Sequence, residues 1–345
     1  MDRLRVVILG LGDAGRRWLA AVRAHSAYEL VAVADQSLDV AQPVAEACGV
    51  PAYDDYRQML VEQSPGAAVM AVPPFVAEQY LPIAVDAGVA VLKETPLARS
   101  FEDAVRVLGC FYDAQVPLVV AARWRFDAPL LDALTGLRDL PSVVHASAFR
   151  QLQRRLDWRG DLRRAGGGAL LDVGYECVDL VVQTLGLPGD VAAHLARASG
   201  ELGPADTEQI ASLFMRFDSG ASAAIAAGWS TLGAEQRLRL CAPQREVELA
   251  ERTLSVRQRD GDALVVRRAD EPGMLATVLE SFAATVREKP AVYAGRAADQ
   301  LATLAVLDAA YLSHRTRMAE SPIRAYELAG LPLPRALPGA DLAAL

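Results

Sequence analysis

The chain has 345 residues, with 43 acidic and 35 basic side chains and a formal net charge of −8. Hydrophobic residues make up 52% of it and charged residues 23%, a composition that predicts a folded protein of two domains and excludes disordered and collagen-like chains. A net negative chain lacks the positive field that gathers nucleic acid or an acidic membrane surface. We therefore expect a small-molecule partner, with no nucleic acid and no membrane.

The cysteines and the apolar segments indicate the cellular compartment of the protein. The four cysteines are scattered with no close pair, which indicates reduced thiols rather than a disulfide framework or a zinc site. The chain enters an apolar strand at once, without a cationic leader. The most apolar stretch, residues 67–77, contains two prolines and is shorter than the roughly 20 residues that a spanning helix needs. These features predict a cytoplasmic protein.

Short apolar runs alternate with longer amphipathic stretches over the first third of the chain. Strands are predicted at residues 5–9, 30–34, 67–72, 89–92 and 117–125, with helices between them at 14–24, 38–48, 76–87 and 100–115. This repetition is typical of a parallel sheet with crossover helices. We predict an α/β domain over residues 1–121.

The remainder of the chain has a different order of predicted elements. Strands are predicted at residues 210–217, 221–229, 237–241, 245–249, 254–257 and 263–267, followed by helices at 272–287 and 297–315. Short polar turns between successive strands favour antiparallel pairing. The second domain, residues 122–345, is therefore predicted to be an α+β unit with a mostly antiparallel open sheet. Because a broad exposed sheet face invites symmetric packing, we also expect a homo-oligomer.

A glycine-rich turn follows the first predicted strand and precedes the first helix. Gly10, Gly12 and Gly15 form G-x-G-x-x-G in the structural context that this motif requires. In a Rossmann domain these glycines allow the tight turn, the approach of a pyrophosphate, and close packing of helix on strand. Leu11, Asp13 and Ala14 lie within the same loop and complete the predicted contact.

An acidic residue ends the second predicted strand, 20 residues after Gly15. Asp35 is placed to accept hydrogen bonds from the adenosine ribose, and its carboxylate repels a 2′-phosphate. Gln36 and Ser37 supply no cation to offset that repulsion, so NAD is predicted in preference to NADP. The alternative interpretation is a structural turn with no nucleotide, in which Asp35 caps the next helix.

Two further segments carry a family resemblance: AGVAVLKETPLA at residues 87–98 and GGGALLDVGYECVDL at residues 166–180. With the glycine loop, they resemble the glucose-fructose oxidoreductase / inositol dehydrogenase / MocA (Gfo/Idh/MocA) family, over nearly the whole chain. The resemblance implies an NAD(P)-dependent oxidoreductase with a Rossmann domain and an antiparallel-sheet domain whose open face carries substrate and subunit contacts. It also implies cofactor contacts at Val72, Pro73, Glu94 and Pro96.

The sequence departs from the family at the catalytic positions. Family members read E-K-P in the first segment, with a catalytic lysine, and D-x-G-x-H-x-x-D in the second, with a catalytic histidine. Thr95 stands in place of that lysine and Glu176 in place of that histidine. The histidine that commonly follows the family's T-P-P turn also has no counterpart in residues 72–80. Hydride transfer here requires other groups to move the proton.

Four residues are the candidates for those groups: Lys93, Asp172, Tyr175 and Glu176. Side chains two apart on a strand share a face, so the Lys93 ammonium is a candidate to replace the missing lysine. Burial among apolar neighbours would raise the pKa of Glu176 and suit it to proton transfer, whereas an ion pair with Lys93 would oppose that shift. In the alternative interpretation, Glu176 binds substrate and transfers no proton.

Substrate contacts are predicted at Arg123, Arg125 and Trp158, which the resemblance places at the cleft. Residues 150–164 also hold six arginines, which either clamp a carboxylate or phosphate or belong to a solvated loop or a subunit contact. No metal site is predicted, because histidine, cysteine and carboxylate ligands are not clustered.

The leading hypothesis is an NAD-dependent oxidoreductase that acts by hydride transfer on a sugar, a polyol or a small biosynthetic intermediate. Reaction at a carbon that bears nitrogen remains open. A first alternative is a catalytically inactive NAD-binding sensor or regulatory homologue. A second is an enzyme that recycles tightly held NAD during elimination or hydrolysis.

Overall fold

Two sheets organise the chain in the computed structural model, which describes residues 2–138, 145–153, 157–197, 205–230, 233–259, 261, 263–268, 270–287 and 297–334. One sheet has six strands and the other eight. The first is parallel throughout and the second is mostly antiparallel. The predicted fold class is confirmed.

The first sheet has helices on both faces. Its strands are β1 (Leu4–Leu9), β2 (Tyr28–Ala34), β3 (Ala52–Tyr53), β4 (Ala67–Met70), β5 (Ala90–Lys93) and β6 (Leu118–Val120). Its helices are α1 (Asp13–Ala24), α2 (Leu38–Cys48), α3 (Tyr56–Gln63), α4 (Pro74–Asp86) and α5 (Phe101–Asp113). The strands are nearly all apolar and buried, as parallel sheets covered on both faces require. In the order β3-β2-β1-β4-β5-β6, the connections reverse direction between β1 and β4, which opens a crevice at the carboxyl ends of these strands.

The sequence prediction differs from this sheet in two places. The strand predicted over residues 117–125 is wrong beyond Val120, because Arg123–Phe126 form a 3-10 turn that leads the chain away from the sheet. Its buried apolar side chains resemble a strand pattern. β3 and α3 were not predicted, since a strand of two residues shows no alternation. The cap of α3 is nevertheless present in the sequence, as Asp55 accepts hydrogen bonds from the backbone of Arg57 and Gln58.

The second sheet has the order β14-β13-β12-β11-β7-β10-β9-β8. Its strands are β7 (His145–Gln153), β8 (Asp190–Ala196), β9 (Ile210–Arg216), β10 (Ser222–Ser230), β11 (Glu235–Ala242), β12 (Arg245–Ala250), β13 (Thr253–Gln258) and β14 (Leu264–Arg267). The remaining helices are α6 (Ala128–Arg138), α7 (Leu162–Ala165), α8 (Tyr175–Leu185), α9 (Glu271–Val286), α10 (Gln300–Thr316) and α11 (Ile323–Ala329). Every pairing is antiparallel except β7 with β10.

Alternation along the strands divides this sheet into a covered face and an open face. β9 and β10 bury every second side chain, as expected for a sheet packed on one side only. The buried face joins α8 and α10 in one apolar core. Helix α8 follows directly on a π-helical turn, Leu170–Gly174. That turn brings the residues of the second family segment to the crevice.

Helix α9 lies far along the chain and yet packs on the first sheet's layer. Val278, Leu279 and Phe282 are buried in one cluster with Trp18 and other side chains of α1. The hydroxyl of Tyr28 at the start of β2 donates to the carbonyl of Leu279 at 2.6 Å. A helix inside the predicted domain 122–345 thus completes the core around β1 and β2, while the boundary after residue 121 stays a prediction.

Candidate functional site

A cavity of about 760 Å³ lies between the carboxyl ends of the first sheet and the second family segment. One wall is formed by Gly10, Gly12, Asp13, Ala14, Arg17, Asp35, Gln36, Tyr56 and residues 71–76 and 94–96. The other is formed by Arg123, Arg150, Leu152, Gln153, residues 157–159, Arg164, Ala165, Gly167, Leu171, Asp172, Glu176 and Trp229. We call these the dinucleotide wall and the polar wall.

The glycine loop on the dinucleotide wall has room for a ligand only at its middle glycine. A Cβ on Gly15 would lie 1.8 Å from the Gly10 carbonyl oxygen, so α1 packs against the loop more closely than any side chain permits. Gly10 has φ +87°, where glycine is favoured. A Cβ on Gly12 would meet no atom within 4 Å. Because the N-terminus of α1 also lies at this wall, the loop fits a dinucleotide pyrophosphate.

Asp35 is held at the carboxyl end of β2 with its side chain on the cavity. Its Oδ2 accepts from the Leu11 amide at 2.8 Å and its Oδ1 from the Ser37 amide at 3.2 Å. Leu11 itself is buried and does not line the cavity. Its backbone instead ties the glycine loop to Asp35. The predicted cofactor residues other than Leu11 and Gly15 all line the cavity.

The loop after β5 forms the end of the dinucleotide wall. Glu94 Oε1 accepts a hydrogen bond from the Trp18 indole at 2.7 Å, and Thr95 and Pro96 lie beside it. Lys93 does not reach this surface. Its ammonium donates to the carbonyl oxygens of Glu94 at 3.0 Å and Pro96 at 2.5 Å. Lys93 is buried, and burial lowers its pKa to about 8. Lys93 therefore stabilises the loop of residues 94–96 from the side that faces away from the cavity, through these two hydrogen bonds.

The π-helical turn and the first turn of α8 bring Asp172 and Glu176 to the polar wall. Asp172 Oδ2 accepts from the Trp229 indole at 2.9 Å, and its Oδ1 accepts from Arg159 Nε at 3.3 Å. Tyr175 is not brought to the cavity. Its hydroxyl donates to Gln300 Oε1 at 2.8 Å in the core. Residues four apart on a helix share a face, whereas adjacent residues do not.

Glu176 is buried between two guanidinium groups. Arg150 Nη1 donates to its Oε2, and Arg123 Nε lies 3.6 Å from its Oε1. Burial alone would raise the pKa of Glu176, but the charges of Arg150 and Arg123 outweigh it and the pKa falls below its usual value. The raised pKa that would have suited Glu176 to proton transfer is therefore not found, and the opposing charges come from two arginines rather than from Lys93. Sequence alone did not show that β7 and the 3-10 turn each supply an arginine here.

Two polar atoms of this buried group form no hydrogen bond in the described part of the chain. Arg150 Nε and Glu176 Oε1 are both shielded from solvent and have no hydrogen-bond partner among the described residues. A buried polar atom without a partner costs about 1–3 kcal/mol.

The two arginines of the 3-10 turn differ in position. Arg123 lines the cavity and also pairs with Glu271 at 2.9 Å. Arg125 instead forms two hydrogen bonds to Asp179, at 2.8 and 2.7 Å, in the core behind the site. With three residues per 3-10 turn, side chains two apart point in different directions. Arg125 is thus not brought to the predicted substrate site.

Several lining residues were not singled out in the sequence. Trp229 is the last residue but one of β10, and nothing in its local pattern indicates a cavity. Of the arginine-rich segment, Arg150, Arg159 and Arg164 line the cavity, whereas the Arg163 carbonyl accepts from Arg99. Arg154 and Arg155 lie outside the described residues. Trp158 lines the cavity as predicted, with the Arg159 guanidinium 4.3 Å from its ring centre.

In the part of the chain that the structure describes, no three histidine, cysteine or acidic side chains are grouped so that they could hold a metal ion. Over those same residues, no helix has the length and apolarity needed to cross a membrane.

Comparisons with known proteins agree with this architecture. Residues 4–122 match the oxidoreductase family with an NAD-binding Rossmann fold, and residues 141–246 match the GFO/IDH/MocA C-terminal domain. The chain is 31% identical to dTDP-3,4-didehydro-2,6-dideoxy-alpha-D-glucose 3-reductase of Streptomyces violaceoruber, over 69% of this chain and 72% of that protein. It is also 31% identical to D-xylose 1-dehydrogenase (NADP(+)) 2 of Haloferax volcanii, over 65% and 69%.

The solved structures show the same fold. Aldose-aldose oxidoreductase from Caulobacter crescentus superposes with a TM-score of 0.82 and covers 93% of this chain and 100% of that one. Its sequence identity is 21%, so this likeness concerns the fold alone.

Proposed function

Because the chain belongs to the Gfo/Idh/MocA family and is an NAD(P)-dependent oxidoreductase, we propose that it reacts at a hydroxyl-bearing carbon of a sugar, free or nucleotide-linked. The single observation that carries the proposal is the continuous cavity. It joins the glycine loop and Asp35 to the polar wall, with residues 94–96 between them.

The proposed cofactor is NAD rather than NADP. The Asp35 carboxylate lines the cavity, fixed by the amides of Leu11 and Ser37. An anionic group there suits two ribose hydroxyls and repels a 2′-phosphate. The amides at the start of α1 would hold the pyrophosphate, and Val72, Pro73, Glu94 and Pro96 would contact the rest of the dinucleotide.

The bound dinucleotide supplies or accepts the hydride. The proton needs a second group, and Asp172 is our choice. It is a carboxylate of the polar wall with 29% of its side chain exposed, close to the 31% of Asp157. The Trp229 indole fixes its orientation. A positioned general base of this kind contributes about 10²–10⁴-fold to a rate. In the direction of oxidation, Asp172 would take the proton from the reacting hydroxyl.

Glu176 takes a different role in this proposal. Two arginines keep it ionised, so it is a weak proton shuttle. The side chains of Glu176 and Arg150 both line the cavity, where a carboxylate can accept from a sugar hydroxyl and a guanidinium can donate to one. Glu176 and Arg150 would therefore orient a neighbouring hydroxyl of the sugar. Lys93, Tyr175 and Arg125 have their polar groups engaged elsewhere and support the fold in this scheme.

The substrate class rests on the relatives and on the polar wall. The two relatives named above act, by their names, on xylose and on a dTDP-linked deoxyglucose derivative. Trp158 lines the cavity and offers an apolar ring to a sugar, and Arg164 stands toward Phe75 with more than half of its side chain exposed. A guanidinium in that position suits the phosphate of a nucleotide-linked sugar.

The first experiment separates cofactor binding from turnover. NAD and NADP are titrated against the protein by tryptophan fluorescence, and reduced-nicotinamide absorbance is then followed with aldoses, inositols and nucleotide-linked sugars. Tighter binding of NAD and turnover of at least one sugar are expected. Tight binding without turnover of any of them would instead favour a regulatory homologue. Loss of activity in Asp172→Asn, with NAD affinity kept, would support the proposed proton acceptor.

We propose assembly into a homo-oligomer through the open face of the second sheet. Phe149, Ile210 and Phe214 are exposed there, and an apolar patch of this kind is typical of a protein contact. Light scattering would give the mass of the particle. A cytoplasmic location is proposed as well, supported by four cysteines that form no disulfide.

A further inference from the structure

The segment of residues 206–209, which directly precedes β9, contacts two separate parts of the polar wall. The Asp206 amide donates to the Gly160 carbonyl at 2.9 Å, and the Thr207 hydroxyl donates to the Arg159 carbonyl at 2.9 Å. The Gln209 carbonyl accepts from the Trp229 amide at 2.9 Å. This short segment therefore links the Arg159 loop to the strand that carries Trp229.

Glu208 extends the same link to Asp172. Its carboxylate accepts from the Gly168 amide at 2.9 Å, from the Leu170 amide at 3.0 Å and from the Tyr311 hydroxyl at 2.9 Å. The Gly168 carbonyl in turn accepts from the Asp172 amide at 3.0 Å. Two hydrogen bonds thus connect Glu208 to the backbone of the proposed proton acceptor.

The packing around this carboxylate leaves little freedom. A Cβ on Gly168 would lie 2.0 Å from the Glu208 carbonyl oxygen, and one on Gly167 would lie 2.1 Å from the Tyr311 hydroxyl. Glu208 is itself buried, with 8% of its surface exposed. The glycines of this run are needed so that the backbone can approach Glu208 and Tyr311.

The turn that follows needs such support. A π-helical turn is rare and short, and the first amides of any helix have no partner within it. Three successive glycines also lose more backbone freedom on ordering than other residues do. The Glu208 carboxylate, which accepts from the amides of Gly168 and Leu170, offsets both costs. Without it, nothing else among the described contacts fixes the amide of Gly168.

We propose that Glu208 is a positioning residue of this enzyme. It fixes the turn that begins at Gly168, so that Asp172 and Trp229 face the reacting carbon together. The inference rests on the role proposed above for Asp172. It assigns to a residue outside the cavity the geometry on which the proton transfer depends.

Glu208→Gln tests the proposal at constant size. Because Oε1 accepts from Leu170 and Tyr311, the new NH₂ group takes the place of Oε2, where it faces the Gly168 amide, so the turn loses one acceptor at Gly168. We expect kcat to fall about 10–100-fold, as for a displacement of about 1 Å at a reacting group, with KM and the Kd for NAD within about twofold. Glu251→Gln is the control, because Glu251 also accepts a backbone amide, that of Gln236 at 3.0 Å, but on the surface of the second sheet.

Hydrogen exchange supplies a measurement that does not depend on turnover. Peptides covering residues 168–176 should exchange faster in Glu208→Gln, while those of β1 and α1 stay unchanged. Tyr311→Phe removes a single hydrogen bond and should give a smaller increase. If Glu208→Gln does not fold, the exchange of Tyr311→Phe is measured in its place.

The outcomes separate this inference from the proposed function. Unchanged exchange at residues 168–176, or an equal increase throughout β8, β9 and β10, would overturn the positioning role. If the wild type converts no sugar, the proposed function fails and the exchange measurement still decides the role of Glu208. An equal fall in kcat and in NAD affinity in Glu208→Gln would also contradict the positioning role.

Discussion

The two walls of the cavity are built in different ways. The dinucleotide wall comes from the carboxyl ends of neighbouring parallel strands, and its geometry depends on backbone contacts such as Gly15 against Gly10. The polar wall comes from β7, β10, the 3-10 turn and the π-helical turn, and hydrogen bonds between distant side chains hold it together. One wall should therefore be sensitive to added atoms and the other to lost partners.

The largest effect is expected for Gly15→Ala on the dinucleotide wall. Its Cβ would lie 1.8 Å from the Gly10 carbonyl oxygen, so the loop and α1 have to separate. We expect loss of NAD binding by more than about 100-fold and a drop in stability of several kcal/mol, as for overpacked sites. Fluorescence titration and thermal unfolding measure the two.

Gly12→Ala is the matched control for that prediction, because its Cβ meets no protein atom within 4 Å. Stability should change by less than about 1 kcal/mol, while the approach of the pyrophosphate is hindered. If both variants unfold alike, the steric account of this wall is wrong.

On the polar wall, Asp172→Asn removes the proposed proton acceptor and keeps the size of the side chain. We expect kcat to fall about 10²–10³-fold, within the usual range for a general base, with the Kd for NAD unchanged. Asp157→Asn is the control, since Asp157 also lines the cavity and pairs with Arg159 at 2.6 Å but does not contact Trp229. Comparable losses in both variants would contradict the specific role of Asp172.

Lys93 lies behind the loop that joins the walls, and its effect should appear in the pH dependence of stability. Burial lowers its pKa from 10.5 to about 8, so the unfolded chain binds more protons between these values. The cost of its burial is present in full below pH 8 and is relieved as the pH rises toward 10.5.

We therefore expect the unfolding free energy of the wild type to gain roughly 2 to 3 kcal/mol on that of Lys93→Met between about pH 7 and about pH 10. Chemical denaturation at several pH values measures this difference. A difference that does not vary with pH would show that the lysine titrates normally.

The smallest effect concerns the choice of dinucleotide. Asp35→Ser removes a charge from the dinucleotide wall while keeping an oxygen, and should shift the ratio of Kd for NADP to Kd for NAD toward NADP about tenfold, or about 1.4 kcal/mol. Asp39→Ser changes an exposed carboxylate at the start of α2 and should leave the ratio as it was. Equal ratios in the wild type and Asp35→Ser would remove the argument from charge repulsion.

Much of the fold was predictable because its signals are local. Alternating apolar runs and caps identify most strands and helices of the first sheet, and the spacing of Gly10, Gly12 and Gly15 reports backbone geometry within a few residues. The family segments identified the positions of Asp172 and Glu176. Missed elements, such as β3, were too short to show a period.

The state of the site residues could not be predicted in this way. The pKa of Glu176 depends on Arg150 and Arg123, which lie 26 and 53 positions away along the chain and meet it only in the folded protein. Lys93, Tyr175 and Arg125 have suitable chemistry, but a short-range pattern does not specify which neighbour a side chain faces.

The sequence by itself determined the fold class, the glycine loop and the acidic end of β2, because these depend on local backbone geometry and hydrophobic periodicity. The tertiary structure decided which carboxylate is open to the cavity, which is locked by arginines, and that Glu208 supports the turn between them. Charges, burial and hydrogen bonds at those positions arise from residues distant in sequence, and only folding brings such residues into contact.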